Sequence, residues 1–198
     1  GAALNYKESD RTLIVVPLFH VTGLNSQMVA FIWIGGTCVI LKAYKTAEMI
    51  EAIERHRITA LFMVPTMYIL MLINETLPKR DVSSVRLAAY GGAPMDKETI
   101  IRLKERLGVD LYNAYGLTET SSLTTVLPAC DAVRKAPSVG LPVCGVQVKT
   151  IDDRGRELGS GETGELLIKG PNVVGGYFNK PEATQKSIVD GWLHTGDL

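Results

Sequence analysis

The chain has 198 residues, 46% of them hydrophobic and 21% charged, the balance of a globular protein with room for one sizeable core or two small ones. Its 21 basic and 21 acidic side chains cancel, which removes the electrostatic footprint of a nucleic-acid or anionic-membrane binder. The longest apolar run, from Met28 to Ile34, is far too short to cross a bilayer, and no signal peptide is expected, because no basic region precedes an apolar stretch.

In chain order, residues 12–16 read as a β-strand, 23–34 as a helix, and 37–41 as a second strand. From 46 to 57, Met49, Ile50 and Ile53 recur at helical spacing with charges on the opposite face, and Thr46 is a candidate cap. Residues 59–64 have the pattern of a buried strand, and Pro65 then opens a helix running to about Asn74. A strand over 85–90 ends in Gly91-Gly92-Ala93-Pro94. Asp96 then caps a helix whose Ile100, Ile101, Leu103 and Leu107 form one stripe, stopped by Gly108. Residues 109–113 form a further strand. Strand and helix in alternation imply crossover connections and a largely parallel sheet.

Past Pro128 the texture changes. Residues 146–151 and 164–169 alternate apolar and polar around the turn 152–155, and glycines punctuate short strands. The expected fold is therefore α/β, a mostly parallel sheet with flanking helices over 1–128, followed by a small antiparallel β-rich subdomain over 129–198. Gly159-Ser160-Gly161-Glu162-Thr163-Gly164 matches the dinucleotide fingerprint by letter. The fingerprint needs a strand before it and a helix after it, whereas here polar turn residues precede and a strand follows, so a hairpin turn is expected. Cys38, Cys130 and Cys144 are odd in number and lack metal-ligand spacing, which suits a reducing cytoplasm. Cys38 reads as a small buried hydrophobe.

Chemistry-bearing residues gather at strand ends, where open α/β sheets bind their ligands. The 91–94 turn would let a flat ligand lie against bare backbone, although a tight turn alone accounts for it. In Asn113-Ala114-Tyr115-Gly116-Leu117-Thr118-Glu119-Thr120 an aromatic ring, a glycine, a hydroxyl and a carboxylate follow a strand. A hydroxyl can donate to a phosphate, and a carboxylate can hold Mg²⁺ together with phosphate oxygens. His194-Thr195-Gly196-Asp197 ends in a carboxylate suited to ribose hydroxyls.

These motifs, with Pro17-Leu18-Phe19-His20, Ser138-Val139-Gly140, residues 164–170, Gly176-Tyr177, Pro181-Glu182-Ala183-Thr184 and Gly191-Trp192-Leu193, resemble the adenylate-forming, AMP-binding superfamily in family order. That superfamily contains acyl-CoA and aryl-CoA synthetases, luciferases and peptide-synthetase adenylation domains. The resemblance spans nearly the whole chain and implies residue roles. Gly91, Gly92, Ala93 and Pro94 would form one wall of an adenine slot, Tyr115 the other, and Asn113 would face the adenine edge. Thr118 would contact the α-phosphate, Glu119 would bind Mg²⁺, and Asp197 would bind ribose. His20 would sit where the acyl carboxylate meets the thiol tunnel, and Thr22, Gly91 and Gly116 would border the acyl pocket. An alternative for His20 is a helix-entry histidine bonded to backbone. His56 is expected at the surface and His194 in a structural role.

The implied reaction activates a fatty or aryl carboxylic acid with ATP as an acyl-adenylate and transfers the acyl group to CoA, releasing AMP. The implied partners are small molecules, with no nucleic acid and no transmembrane segment. Two features steer the resemblance away from amino-acid substrates. Residues 19–22 lack the aspartate that would hold an ammonium group, and Leu117 stands where adenylation domains favour proline. The family's phosphate loop and its C-terminal lysine domain are expected to lie outside this sequence, so the fragment by itself is expected not to turn over. A luciferase-like member of the superfamily, or a non-catalytic AMP/ATP-binding module, is the alternative.

Overall fold

The computed structural model describes residues 2–198. The β-branched and apolar runs of the first half become five parallel strands, β1 (Arg11–Ile14), β2 (Thr37–Ile40), β3 (Ala60–Met63), β4 (Leu87–Gly91) and β5 (Asp110–Tyr115), side by side in the order β2-β1-β3-β4-β5. Two short antiparallel strands, β6 (Thr125–Leu127) and β7 (Leu141–Pro142), extend this sheet beyond β5. The change of sheet therefore falls between Pro142 and Gln147 rather than at 128/129, because the segment 129–140 returns to pair β7 with β6.

One helix, α1 (Ala30–Ile34), lies over one face of this sheet; α2 (Thr46–His56), α3 (Pro65–Ile73) and α4 (Lys97–Leu107) cover the other. Met49 and Ile53 of α2, Tyr68 of α3, and Ile100 and Leu103 of α4 pack with Leu13, Leu61, Ala88 and Leu111 in the main core. Each such aliphatic side chain, fully buried, contributes about 1.5–3 kcal/mol. The Asp96 cap is formed: its Oδ1 accepts from the Thr99 N–H at 2.8 Å, and Gly108 ends α4 in the left-handed conformation. Thr46 does not cap α2. Lys45 holds the extended cap position and Thr46 is already helical, its hydroxyl donating to Tyr44 Oη at 3.1 Å.

The helix expected over 23–34 is two windings, a π-helix over Thr22–Val29 followed by α1. Gly23 at its start sits against the Pro17 carbonyl, which would lie 2.6 Å from a Cβ there. On this face Phe62, Ala89 and Ala114 form a smaller cluster with Leu4, while Ile32 and Trp33 of α1 stay exposed.

The second sheet is antiparallel throughout: β8 (Gln147–Ile151), β9 (Glu165–Lys169), β10 (Ile188–Val189) and β11 (Trp192–His194), in the order β10-β11-β9-β8, with α5 (Pro181–Ser187) leading into β10. Its core of Val146, Ile168 and Leu193 packs against Tyr115 and Leu117, which fastens it to the carboxyl end of β5. The glycine-rich 159–164 segment lies in the β8–β9 connection, with Gly161 at φ +90° and strand β9 following it, so it is a turn and no dinucleotide fingerprint. Among the described residues no helix is long and apolar enough to cross a membrane.

Candidate active site

Because β1, β3, β4 and β5 run parallel, their carboxyl ends share one edge of the sheet, and the segments that follow them meet there. The period-2 alternation along β5 then divides the site in two. Asn113 and Tyr115 face a cavity of about 460 Å³ that is also lined by Gly92, Ala93, Pro94 and Asp197. Ala114 packs with Phe62 on the opposite face, where a second cavity of about 250 Å³ is lined by His20, Thr22, Phe62, Gly91, Thr118 and Glu119. The two cavities adjoin across Gly92 and residues 114–117, which line both. Each residue that the resemblance places at the nucleotide or acid site thus borders one cavity or both, although they come from four separate segments.

In the larger cavity, Asn113 is buried and its amide donates to the Ser138 carbonyl at 2.9 Å, which turns its carboxamide in a fixed direction. Tyr115 Oη donates to Asp197 Oδ2 at 2.6 Å. Burial first, and then the bond to Asp197, push the Tyr115 phenol above its ordinary range, so it stays a neutral donor. Asp197 is itself held by backbone: its carbonyl accepts from the Leu166 N–H at 2.8 Å and its own N–H donates to Thr195 Oγ1 at 3.0 Å. His194 is tied into this turn, with Nδ1 3.1 Å from Glu165 Oε2, and takes no part in either cavity.

In the smaller cavity, His20 Nδ1 accepts from the Thr22 N–H at 3.2 Å, leaving Nε2 as the free ring nitrogen. The backbone-bonded and site-facing descriptions of His20 therefore both hold. Phe62 lies near Gly91, with a ring carbon 3.5 Å from where a Gly91 Cβ would stand. Gly91 also passes the Ala114 carbonyl at a distance that leaves no room for a side chain, 2.4 Å from the same point. Gly116 is required more strictly still, since the Ser122 carbonyl would lie 1.4 Å from its Cβ. At Gly91 and Gly116 neighbouring backbone fills the space of a side chain, whereas a Cβ at Gly92 would meet only Val64 Cγ1, at 3.9 Å.

Thr118 and Glu119 begin a short 3-10 turn in the lining of the smaller cavity, directly after the residues that line both. Ser121 and Ser122, both with positive φ, fold the chain back beneath it. Asn25 Nδ2 donates to the Ser121 carbonyl at 3.2 Å, and Ser26 and Ser122 share a hydroxyl–hydroxyl contact, so the π-helix braces this turn. From the other side Val174 N–H donates to the Glu119 carbonyl at 2.8 Å, and Tyr177 Oη donates to Glu119 Oε1 at 2.8 Å. The bond to Glu119 is the main reason the Tyr177 phenol is raised above its ordinary value. Among the described residues no three His, Cys, Asp or Glu side chains converge as a self-sufficient metal site. A lone carboxylate beside a hydroxyl, at the mouth of a cavity, is instead the donor set of a Mg²⁺ shared with nucleotide phosphates. The residues fit that ion.

Phe62, Ser122 and Tyr177 were not among the sequence candidates. Phe62 is indistinguishable by pattern from its core neighbours in β3, and only the alternation Leu61-Phe62-Met63 separates its face. Tyr177 lies 58 residues from Glu119, with no local signal joining them.

The model of the family described as AMP-binding enzyme matches residues 2–178. The chain belongs to the AMP-binding enzyme family. It is 36% identical to 4-coumarate-CoA ligase 1 of Narcissus pseudonarcissus over 98% of this chain and 37% of that protein. Among solved structures it resembles the O-succinylbenzoate coenzyme A synthetase of Bacillus subtilis in complex with ATP and magnesium ion, with a TM-score of 0.88 and 33% identity over 98% of this chain and 40% of the other. A fatty acyl CoA synthetase of Mycobacterium tuberculosis gives a TM-score of 0.90 at 29% identity, over 98% of this chain and 38% of that one. The chain thus spans less than half the length of the AMP-binding enzymes it matches. The likeness extends through both sheets and their shared site edge.

Proposed function

We propose that this chain carries the acid- and nucleotide-facing part of an AMP-forming acid–thiol ligase, and that its acid is an aryl carboxylate. The observation that carries the reading is the pair of adjoining cavities, with Thr118 and Glu119 in the smaller one directly after the shared residues 114–117. One cavity suits a nucleoside. Tyr115 and the 92–94 turn offer faces for a flat base, Asn113 offers a carboxamide oxygen to an amino edge, and Asp197 Oδ1 is available to ribose hydroxyls while Oδ2 accepts from Tyr115. The other suits a small acid presented towards that nucleotide. With ATP bound, the acid carboxylate attacks the α-phosphorus, pyrophosphate leaves, and the thiol of CoA displaces AMP from the acyl-adenylate. The Thr118 hydroxyl donates to the α-phosphate, and Glu119 with the phosphate oxygens would hold Mg²⁺, which supplies charge neutralisation at the reacting phosphorus. Alignment of the two anions is the larger part of what these side chains do. His20, with Nδ1 engaged by the Thr22 N–H, lines the cavity where carboxylate and thiol would meet. Three free cysteines and the absence of any disulfide-scaffold spacing support a cytoplasmic setting.

The aryl assignment rests on the smaller cavity. Phe62 in its lining offers a flat aromatic face to a ring. The resemblance to a 4-coumarate-CoA ligase supports the same class. The test supplies ATP, Mg²⁺ and CoA to the full-length protein with aryl acids and with fatty acids of increasing length, and measures thioester and AMP. Aryl thioester with stoichiometric AMP is expected. Thioester formed only from long fatty acids would overturn the aryl assignment, and ADP in place of AMP would overturn the reaction. In the same assay Phe62→Leu widens the cavity and shifts the kcat/KM ratio by about ten-fold or more towards acids with bulkier rings.

A further inference from the structure

Tyr177 lies in none of the strand-end segments, yet its hydroxyl donates to the Glu119 carboxylate in the lining of the smaller cavity. Its own placement is rigid. The Tyr177 N–H donates to Thr184 Oγ1 at 2.9 Å, and that hydroxyl donates in turn to the Lys180 carbonyl at 2.9 Å, which ties Tyr177 to the start of α5. Gly176, at φ +147°, lets the strand pass Thr184 so closely that a Cβ would stand 2.5 Å from its methyl group.

The strap 172–177 does not need the Tyr177 hydroxyl for docking. Val174 N–H already donates to the Glu119 carbonyl at 2.8 Å, and Asn172 Nδ2 donates to the Thr120 and Leu123 carbonyls, each at 3.3 Å. The Tyr177 ring is 36% exposed, so its hydroxyl could be satisfied by water just as well. What the bond does is restrain the carboxylate: Oε1 is engaged, which leaves Oε2 to take a ligand and narrows the choice of rotamers.

We infer that Tyr177 is a positioning residue for Glu119, holding one carboxylate oxygen so that the other meets the nucleotide-bound metal ion. Through the strap it also makes the seating of the antiparallel sheet a condition for that geometry. The inference rests on the reading of Glu119 as the Mg²⁺ carboxylate.

The experiment compares the native full-length protein with Tyr177→Phe and Glu119→Gln, using Mn²⁺ with ATP as the probe and reading bound metal by electron paramagnetic resonance. Melting temperature and the Mg²⁺ concentration for half-maximal rate are recorded alongside. Tyr177→Phe removes one oxygen and is expected to weaken Mn²⁺ binding about 10- to 100-fold, as loss of a partner behind a metal ligand does. It is expected to raise the Mg²⁺ requirement in proportion while leaving the melting temperature and the KM for the acid unchanged. Normal Mn²⁺ binding in Tyr177→Phe, with weakened binding in Glu119→Gln, would overturn the positioning role and leave the reading of Glu119 intact. Normal binding in Glu119→Gln, or no Mn²⁺–ATP binding by the native protein, would overturn both. A fall in melting temperature and acid affinity with metal affinity intact would reduce Tyr177 to a structural contact, and the inference would fail.

Discussion

Glu119→Gln lowers acid-dependent AMP formation by on the order of 100- to 1,000-fold, the loss expected when one group that stabilises developing charge is removed from a prepared site. The substitution keeps the shape of the side chain and a hydrogen-bonding oxygen for Tyr177, so the 3-10 turn at Thr118–Thr120 retains its fold. It removes the carboxylate charge in the lining of the smaller cavity. The backbone bond from Val174 to the Glu119 carbonyl is untouched by it, which separates a charge effect from a folding effect. The check is kcat with saturating ATP and acid over a Mg²⁺ titration, with circular dichroism confirming the fold. A variant that keeps more than a tenth of native kcat at saturating Mg²⁺ would remove Glu119 from the reaction.

The second large effect is on stability and lies at the other edge of the sheet. Asp10 is 2% exposed and accepts hydrogen bonds from the Lys7 N–H at 2.8 Å, from Thr59 Oγ1 at 2.7 Å and from Arg86 Nε at 2.8 Å, with a further close contact to Arg86 Nη2. Burial alone would raise its carboxyl, but the Arg86, Thr59 and Lys7 bonds and the Arg86 charge outweigh burial and hold it below its ordinary value of 3.8. Asp10→Asn leaves the Arg86 guanidinium half-buried without its counter-charge and is expected to cost about 3 kcal/mol. The pH dependence follows from the direction of the shift. A carboxyl whose folded pKa is depressed stabilises the fold fully above its unfolded pKa, and that contribution is lost as pH falls through the folded value. The native protein should therefore lose stability as pH falls below about 4, and Asp10→Asn should lose less over the same interval. Glu54, Asp81, Asp96 and Asp152 are also held low by hydrogen bonds, but they are solvent-exposed and weigh little. Urea denaturation at pH 7, 4 and 3 measures both effects. Equal stabilities at pH 7, or parallel acid limbs, would contradict this account of the ion pair.

What the sequence made legible was what local chemistry encodes. Asp96 three residues before Thr99, Pro65 at a helix start and Gly108 at a helix end signalled boundaries that the structure keeps, because caps and left-handed stops act within one turn. The parallel order of the sheet and the gathering of strand ends followed from strand–helix alternation. The parts that were not legible depend on contacts across long separations. Nothing near residue 125 indicates that β6 runs against β5, or that 129–140 returns to lay β7 beside it. The wide π winding of Thr22–Val29 answers to the Pro17 carbonyl beneath Gly23 and to the loop of Ser121 and Ser122, not to its own periodicity. Arg86 meets Asp10 across 76 residues, and Tyr177 meets Glu119 across 58, so neither pair has a signature in one sequence. The motif glycines were visible as letters, but the steric reason for Gly116 was not. Gly116 is fixed by the Ser122 carbonyl before any ligand is considered.

The central claim is that the two adjoining cavities bring a carboxylic acid to the α-phosphorus of ATP. Acid-dependent exchange of labelled pyrophosphate into ATP by the full-length protein, in the absence of CoA, tests it most directly, because exchange requires reversible formation of the acyl-adenylate and nothing later. Exchange that depends on an aryl acid and on Mg²⁺, and that is lost in Glu119→Gln, is the result predicted. ATP binding without exchange for any carboxylic acid would contradict the claim and leave the site a nucleotide-binding module.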